Sequence, residues 1–390
     1  MNYNFDEIID RAHTDAVKVE RCKALFGTDK VLPLWVADMD FRTPDFILDT
    51  IRQRLDHPIL GYSVPPAGFN DSFVKWVNAH HQWPVTAAQV GFVPGIVPAL
   101  SFAVQCFTQP GDEVIVQPPV YYPFFNVIRN NNRVVVTNPL REVDGKFAMD
   151  FDDFESKITE KTKLFILCNP HNPGGKVWSV ETLQRIDEIC SRHNILVVSD
   201  EVHADMVHRT YTHVPYATVS DSAAQGSVTF MAPTKVFNMP GIVSSSYIIQ
   251  NSKLRTQFAH FLEAAEMNTG NLFAYLTTVA CYEKGESWRI AMLDYVYANI
   301  RYVVDYLAEN IPSIKPMEPE ASFLLWLDCR ELGMDTDSLH QFFAQKAGLG
   351  LNKGTVFGEG GEYHLRLNVA CPRAILEQAM KQLTEAMSTL

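Results

Sequence analysis

The sequence is poor in the features that carry a protein out of the cell or hold it in a membrane. Its seven cysteines (Cys22, Cys106, Cys168, Cys190, Cys281, Cys329 and Cys371) are odd in number, scattered and never spaced as C-x-x-C. That argues against a disulfide scaffold and suits reduced thiols in a cytoplasmic protein. Cys168, inside an apolar run, reads as a small core residue. No early segment joins a charged start to an apolar core, since Asn2 to Glu20 is polar and mixed in charge, so no signal peptide is expected. No run approaches the roughly 20 apolar residues of a membrane helix. Basic residues are in deficit: 33 Lys and Arg against 45 Asp and Glu leave a formal charge of −12. Nucleic acid and anionic membranes, which attract basic surfaces, are therefore not expected partners. There is no internal repeat and no low-complexity stretch, and the sequence assigns no metal site.

What is present points to a large α/β protein. The 390 residues exceed the ~250–300 at which a single core stops growing, so a large domain and a smaller one are expected. Short apolar runs at Val114–Val116, Val134–Thr137, Leu164–Leu167, Ile195–Val198, Val228–Phe230 and Ser246–Ile249 are strand candidates. Runs apolar on both faces belong in a sheet covered by helices on both sides. Between two of them Ser179 can cap a helix that puts Leu183, Ile186, Ile189 and Cys190 on one face, with Asn194 ending it. Towards the C-terminus the rhythm changes. Phe323–Leu327 and Tyr363–Val369 read as strands, long helical patterns fall near Trp288–Ala308, and a helix after Pro372 aligns Ile375, Leu376, Ala379, Met380, Leu383 and Met387. The chain divides into an N-terminal segment (1–50) packing with the small domain, a large domain (51–285) and a small C-terminal α+β domain (286–390).

The unusual residues cluster where the strands end, and ligands of open α/β sheets bind beyond the carboxyl ends of the strands. Asn169-Pro170-His171-Asn172-Pro173-Gly174-Gly175 follows one strand, Ser199-Asp200-Glu201-Val202-His203 the next, and Met231-Ala232-Pro233-Thr234-Lys235 a third. Singly, these are a turn, a helix cap and a surface lysine. Jointly, they place an amide, an acid and an amine around one space.

Asn172-Pro173-x-Gly175, Ser199-Asp200-Glu201-Val202-His203 and Thr234-Lys235-x-Phe237-Asn238-x-Pro240-Gly241 resemble, in order and spacing, the three central signatures of fold-type-I pyridoxal-phosphate (PLP) enzymes. Leu34-Trp35-Val36-Ala37-Asp38-Met39-Asp40-Phe41 is similar to the N-terminal signature of the MalY/PatB-type cystathionine β-lyases, and Gly61-Tyr62 and Leu365-Arg366-Leu367-Asn368 suit that group. The resemblance runs from about Leu32 to near the C-terminus. It implies the fold-type-I PLP-dependent transferase fold: a mostly parallel, mixed seven-stranded sheet between helices, plus a smaller α+β domain. It implies PLP as cofactor, an amino acid as substrate, and a homodimer with shared active sites.

The resemblance also implies roles. Lys235 carries PLP as a Schiff base and, once freed, shuttles the Cα proton. Asp200 keeps the pyridine nitrogen protonated so that the ring accepts electrons. Asn172 bonds the phenolic oxygen, and His203 either faces that oxygen or merely lines the wall. Tyr121 stacks on the ring, although Tyr122 beside it competes for that assignment and either suits a plain core position. Gly95, Ile96 and Val97, at a helix start, cradle the phosphate with backbone N–H groups, helped by Thr234. Tyr62 reaches the phosphate and the substrate from the neighbouring subunit. Arg366 grips the substrate carboxylate, while Val36, Ala37 and Asp38 line the substrate side. In one departure, Ala232 replaces the serine common three residues before the lysine, which shifts the phosphate grip to backbone amides, Thr234 and Tyr62. The expected reaction is carbon–sulfur β-elimination from L-cystathionine or a related cysteine S-conjugate, giving thiol, pyruvate and ammonia. Aminotransfer is the alternative, and a binding protein on a retained PLP scaffold the third reading.

Overall fold

The computed structural model describes residues 3–390. Seven strands form the central sheet: β1 (Val90–Val93), β2 (Glu113–Val116), β3 (Val134–Thr137), β4 (Thr162–Cys168), β5 (Leu196–Asp200), β6 (Ser227–Met231) and β7 (Ser245–Ile248). Their order is β1-β7-β6-β5-β4-β2-β3. β7 runs antiparallel to both neighbours and every other pairing is parallel. The mixed seven-stranded sheet expected from the resemblance is therefore observed.

Two-sided burial explains why these runs are strands. In β4, Leu164, Ile166 and Cys168 pack with Leu100, Phe124 and Phe258 on one face. Phe165 and Leu167 meet Leu183, Ile186 and Ile189 on the other. Those last three belong to helix α1 (Val180–Arg192), whose cap is Ser179 accepting from the Thr182 N–H at 3.2 Å. Asn194 leaves that helix in the left-handed region at φ 54°. The sequence places Asp200 just after its strand, but the structure keeps it as the last residue of β5. The ladder carries on beyond the apolar run, because Asp200 pairs with both Cys168 and Phe230.

A second, antiparallel sheet holds β8 (Lys315–Met317), β9 (Leu324–Asp328), β10 (Asn352–Lys353) and β11 (His364–Asn368), in the order β8-β9-β11-β10. Helices α2 (Glu286–Asn310) and α3 (Arg373–Met387) pack with it, and Leu376, Ala379, Met380 and Leu383 of α3 are buried. The start of the chain joins the same core: Phe5, Leu34, Met39 and Phe41 cluster with Leu365, Leu367 and Leu376. Leu32–Pro33 also pairs in parallel with Leu349–Gly350. Among the described residues, no helix is long and apolar enough to cross a membrane.

Candidate active site

Residues 34–41 form an irregular strap between the two sheets, and their backbone cannot satisfy itself. The surrounding chain takes up the carbonyls one by one. Asn368 N–H donates to Leu34 O at 2.9 Å, and Arg366 Nη2 to Trp35 O at 3.0 Å. Asn368 Nδ2 reaches both Val36 O (2.6 Å) and Asp38 O (2.7 Å). Lys235 Nζ donates to Ala37 O at 2.7 Å. Asn238 Nδ2 takes Met39 O and Phe41 O, while its Oδ1 accepts from the Met39 N–H. Buried carbonyls need such partners. The strap thereby ties the loop carrying Lys235 to the strand carrying Arg366.

Six charged or polar side chains meet in front of it. Lys235, partly buried, sits three residues before the strap-binding Asn238; burial and the nearby Arg366 guanidinium lower its ammonium to about 8, with Asp38 and Asp200 pulling the other way. Burial raises Asp200 to about 7, although the Val202 N–H reaches its carboxylate at 3.1 Å. Burial, with Lys235 and Arg366, lowers His203 to about 3, so its imidazole is neutral, and its Nδ1 is buried without a partner. Arg366 is 4% exposed and lies on β11 over the Phe357 ring. Its guanidinium bonds neutral oxygens only: Asn172 Oδ1 (3.0 Å), Asn352 Oδ1 (2.7 Å) and Trp35 O, while Nε has no partner. Burial lowers it to about 10. Tyr121, pushed up to about 12 mainly by burial, feels the charges of Arg366 and Asp200. Lys235, Asp200, His203, Tyr121, Asn172 and Arg366 thus surround one space.

On another side, Gly95 adopts φ +93° and opens the helix Ile96–Phe107. A Cβ there would lie 3.1 Å from Val243, and the positive φ itself favours glycine. The free N–H groups of Ile96 and Val97 face the helix start, where an anion is favoured. Thr234 is buried and its side chain makes no hydrogen bond with a described residue, and Ala232 is buried with no hydroxyl to offer. Tyr62 is fully exposed and makes no hydrogen bond or ring contact with a described residue. Asp38 is committed elsewhere: its carboxylate bonds Arg11 at 2.7 Å and lies 3.5 Å from Lys18. Burial alone would raise it, but those cations hold it below the usual carboxylate range. Val36 and Ala37 meet the other site residues through their carbonyls.

The chain matches the family model described as aminotransferase class I and II over residues 29–383. It belongs to that family. Within the aminotransferase class I and II family it is similar to cystathionine β-lyase PatB of Bacillus subtilis, 41% identical over 99% of this chain and 100% of that one. In structure it is similar to cystalysin of Treponema denticola, described as containing a pyridoxal 5'-phosphate cofactor, with TM-score 0.96 and 32% identity over 100% of both chains. It is also similar to a PLP-bound C–S lyase of Staphylococcus hominis, with TM-score 0.92 and 34% identity over 99% of this chain and 98% of that one. The MalY/PatB-type resemblance of the sequence is borne out.

Sequence reasoning missed the clamp. Asn238 and Asn368 stand inside the quoted motifs but drew no role. The spacing of Arg366 and Asn368, two apart on a strand and so on one face, is the signal that points to Asn368. Also missed was a pair behind Asp200: Glu201, fully buried, bonds His213 Nε2 at 2.8 Å and accepts from Ser199 Oγ and the Tyr216 N–H. Removing the amide in Asn368→Ala leaves Val36 O and the Ala370 N–H unpaired and Asp38 O with only Lys18 Nζ at 3.4 Å, an expected loss of about 2–5 kcal/mol. Urea denaturation measures it; an unchanged midpoint would show that the strap does not depend on this residue.

Proposed function

We propose that this chain is a PLP-dependent carbon–sulfur β-lyase acting on L-cystathionine or a related cysteine S-conjugate. The observation that carries the reading is a buried guanidinium with no carboxylate partner, facing the same space as a buried acid and a lysine of lowered pKa. The names of PatB and the Staphylococcus hominis enzyme support the lyase reading over aminotransfer.

The residues fit PLP. Lys235 offers an amine for its aldehyde, and buried Asp200, with one hydrogen bond to its carboxylate, offers an anion for the pyridine nitrogen. The Gly95–Val97 helix start suits the phosphate, with Thr234 beside Lys235 and Ala232 leaving the backbone amides to do more. Tyr121 provides a ring to stack. When bound, PLP supplies an electron sink for charge developing at the substrate Cα. Arg366 holds the substrate α-carboxylate through its charge and the N–H groups its protein partners leave free on Nε and Nη1, and Asn172, bonded to it, fixes the plane of the guanidinium. Lys235 takes the proton from Cα, and Asp200 keeps a proton on the pyridine nitrogen. A thiolate would then leave from Cβ and take up a proton, and water would hydrolyse the remaining enamine to pyruvate and ammonia. His203, neutral, lines the wall near Lys235 and Arg366. Val36, Ala37 and Asp38 act here through the strap backbone.

We read the assembly as a homodimer with shared sites. Tyr62 lies in an exposed run with Ile59, Leu60 and Val64, apolar surface that a second chain would cover. The division at residue 285 is supported by α2 beginning at Glu286, and the N-terminal residues up to Phe41 pack with β11. Residue 50, by contrast, falls inside the helix Asp45–Leu55, which packs on the helix Leu272–Lys284.

Given L-cystathionine, the PLP-loaded protein is expected to release pyruvate and thiol in equal amounts; amino-group transfer to a 2-oxo acid without pyruvate would sink the lyase reading. Arg366→Ala is expected to lower kcat/KM about 100-fold or more, chiefly through KM. A normal KM would remove the carboxylate role. The lowered Lys235 pKa makes a pH prediction. Only the neutral amine attacks an aldehyde, and at pH 7.5 a group of pKa about 8 is about one-quarter neutral, against ~0.1% for an ordinary lysine. PLP uptake by the cofactor-stripped protein should therefore rise with pH and level off above about 8. A rate still climbing towards pH 10.5 would contradict it.

A further inference from the structure

Away from this cleft, a short hairpin (Arg141–Val143 and Lys146–Ala148) approaches the edge of the antiparallel sheet. Glu142 on the hairpin, Asp328 at the end of β9 and His364 at the start of β11 come together there. Asp328 and His364 face each other directly across the two strands. One ligand atom from each of the three lies within 4.8 Å of the others. They border a cavity of about 370 Å³.

The histidine is what separates this cluster from an ordinary acidic patch. It is 5% exposed. Its Nδ1 meets the Glu362 carbonyl at 2.6 Å, and because a carbonyl only accepts, Nδ1 carries the proton. Nε2 is then left as the lone-pair nitrogen; it is buried, has no hydrogen-bond partner and points towards Glu142 Oε2 at 4.0 Å. The ring is held flat against Trp326, centroids 5.0 Å apart and planes within 8°. A histidine whose second nitrogen is tied to a carbonyl, with its free nitrogen aimed at carboxylates, has the outer-shell arrangement of metal ligands. A buried nitrogen lone pair without a donor would otherwise be a cost.

We propose that Glu142, Asp328 and His364 form a binding site for a divalent transition-metal cation, such as Zn2+, joining the hairpin to the antiparallel sheet. One imidazole and two carboxylates suit Zn2+, which holds such atoms at roughly 2.0–2.2 Å and takes water in a fourth position. The three atoms must draw together from their present spread, and Glu142, with a side chain 35% exposed, has the freedom to do it. Arg330 is the competitor. It bonds Asp328 at 2.9 Å and Glu142 at 3.3 Å, yet its own side chain is 56% exposed. Exposed ion pairs of this kind contribute about 0–1 kcal/mol, so the guanidinium can swing into solvent when a cation enters. The sequence gives no hint of the site, because its three ligands are spread over residues 142 to 364.

The test is equilibrium dialysis of the PLP-loaded protein, first treated with chelator, against ZnCl2 with elemental analysis. A single saturable Zn2+ per chain is expected. E142Q and H364Q should bind it at least about ten-fold more weakly, and R330Q more tightly than the native chain. The visible PLP absorbance of each variant checks that it is folded, and E142Q, on an exposed hairpin, guards against a folding defect in H364Q. Absence of saturable binding, or binding that E142Q and H364Q leave unchanged, as a half-buried thiol such as Cys106 would give, overturns the site.

Discussion

The active cleft depends on the need of one irregular segment, residues 34–41, to place its backbone carbonyls. Six successive carbonyls, Leu34 to Met39, are all bonded by groups from outside the segment, and Phe41 adds a seventh. Two asparagines do most of this, Asn238 from the large sheet's loop and Asn368 from β11. Two of the other donors are Arg366 and Lys235, the two cations of the cleft, and Lys18 adds a longer bond to Asp38 O. Their positions therefore follow from a hydrogen-bonding requirement of the backbone, before any ligand is considered. Such an arrangement is rigid because each unpaired buried carbonyl would cost about 1–3 kcal/mol.

The same geometry explains the charges. A parallel sheet ends its strands in one row, and Asp200, last residue of β5, is buried there with a single hydrogen bond to its carboxylate. Arg366 enters from the other sheet with neutral partners only. Each of these buried charges lacks a counter-ion in its own shell, and each is pushed towards its neutral form: Asp200 up, Lys235 and Arg366 down. Buried charges without partners are expensive in a core. They are reasonable where charged groups of a ligand supply the missing half, a cationic ring nitrogen for the acid and a carboxylate for the guanidinium.

Much of this was legible in the sequence, for reasons that differ by element. The strands of the large sheet are apolar on both faces, so β2, β3, β4, β6 and β7 stand out to within two residues at either end. Helix α1 is marked by its Ser179 cap and its apolar face. The end of β5 was not legible, because Ser199 and Asp200 are polar and only the pairing with Cys168 and Phe230 keeps them in the ladder. Asn172, Asp200, Lys235 and Arg366 were found because motif order places them at strand ends and on β11. The clamp was missed because an asparagine bonding carbonyls 199 or 330 residues away leaves no local pattern. The resemblance puts Asp38 on the substrate side, whereas Arg11 and Lys18 hold its carboxylate; those partners come from a segment without any motif.

The two ends of β11 share one wall. From His364 the ring stack passes to Trp326, from Trp326 edge-on to Phe357 at 5.4 Å, and from Phe357 to the Arg366 guanidinium 4.8 Å above its ring. Contiguity of this kind is not coupling by itself, because coupling needs an element with two arrangements that both ends bias. Arg366 has no second arrangement open to it: Asn172, Asn352 and Trp35 O hold its two terminal nitrogens. The movable part lies at the other end, where Glu142 and Arg330 are exposed. A cation bound there would therefore fasten the hairpin to a wall that is already rigid, and the wall would hold Arg366 in place whether or not the cation is bound.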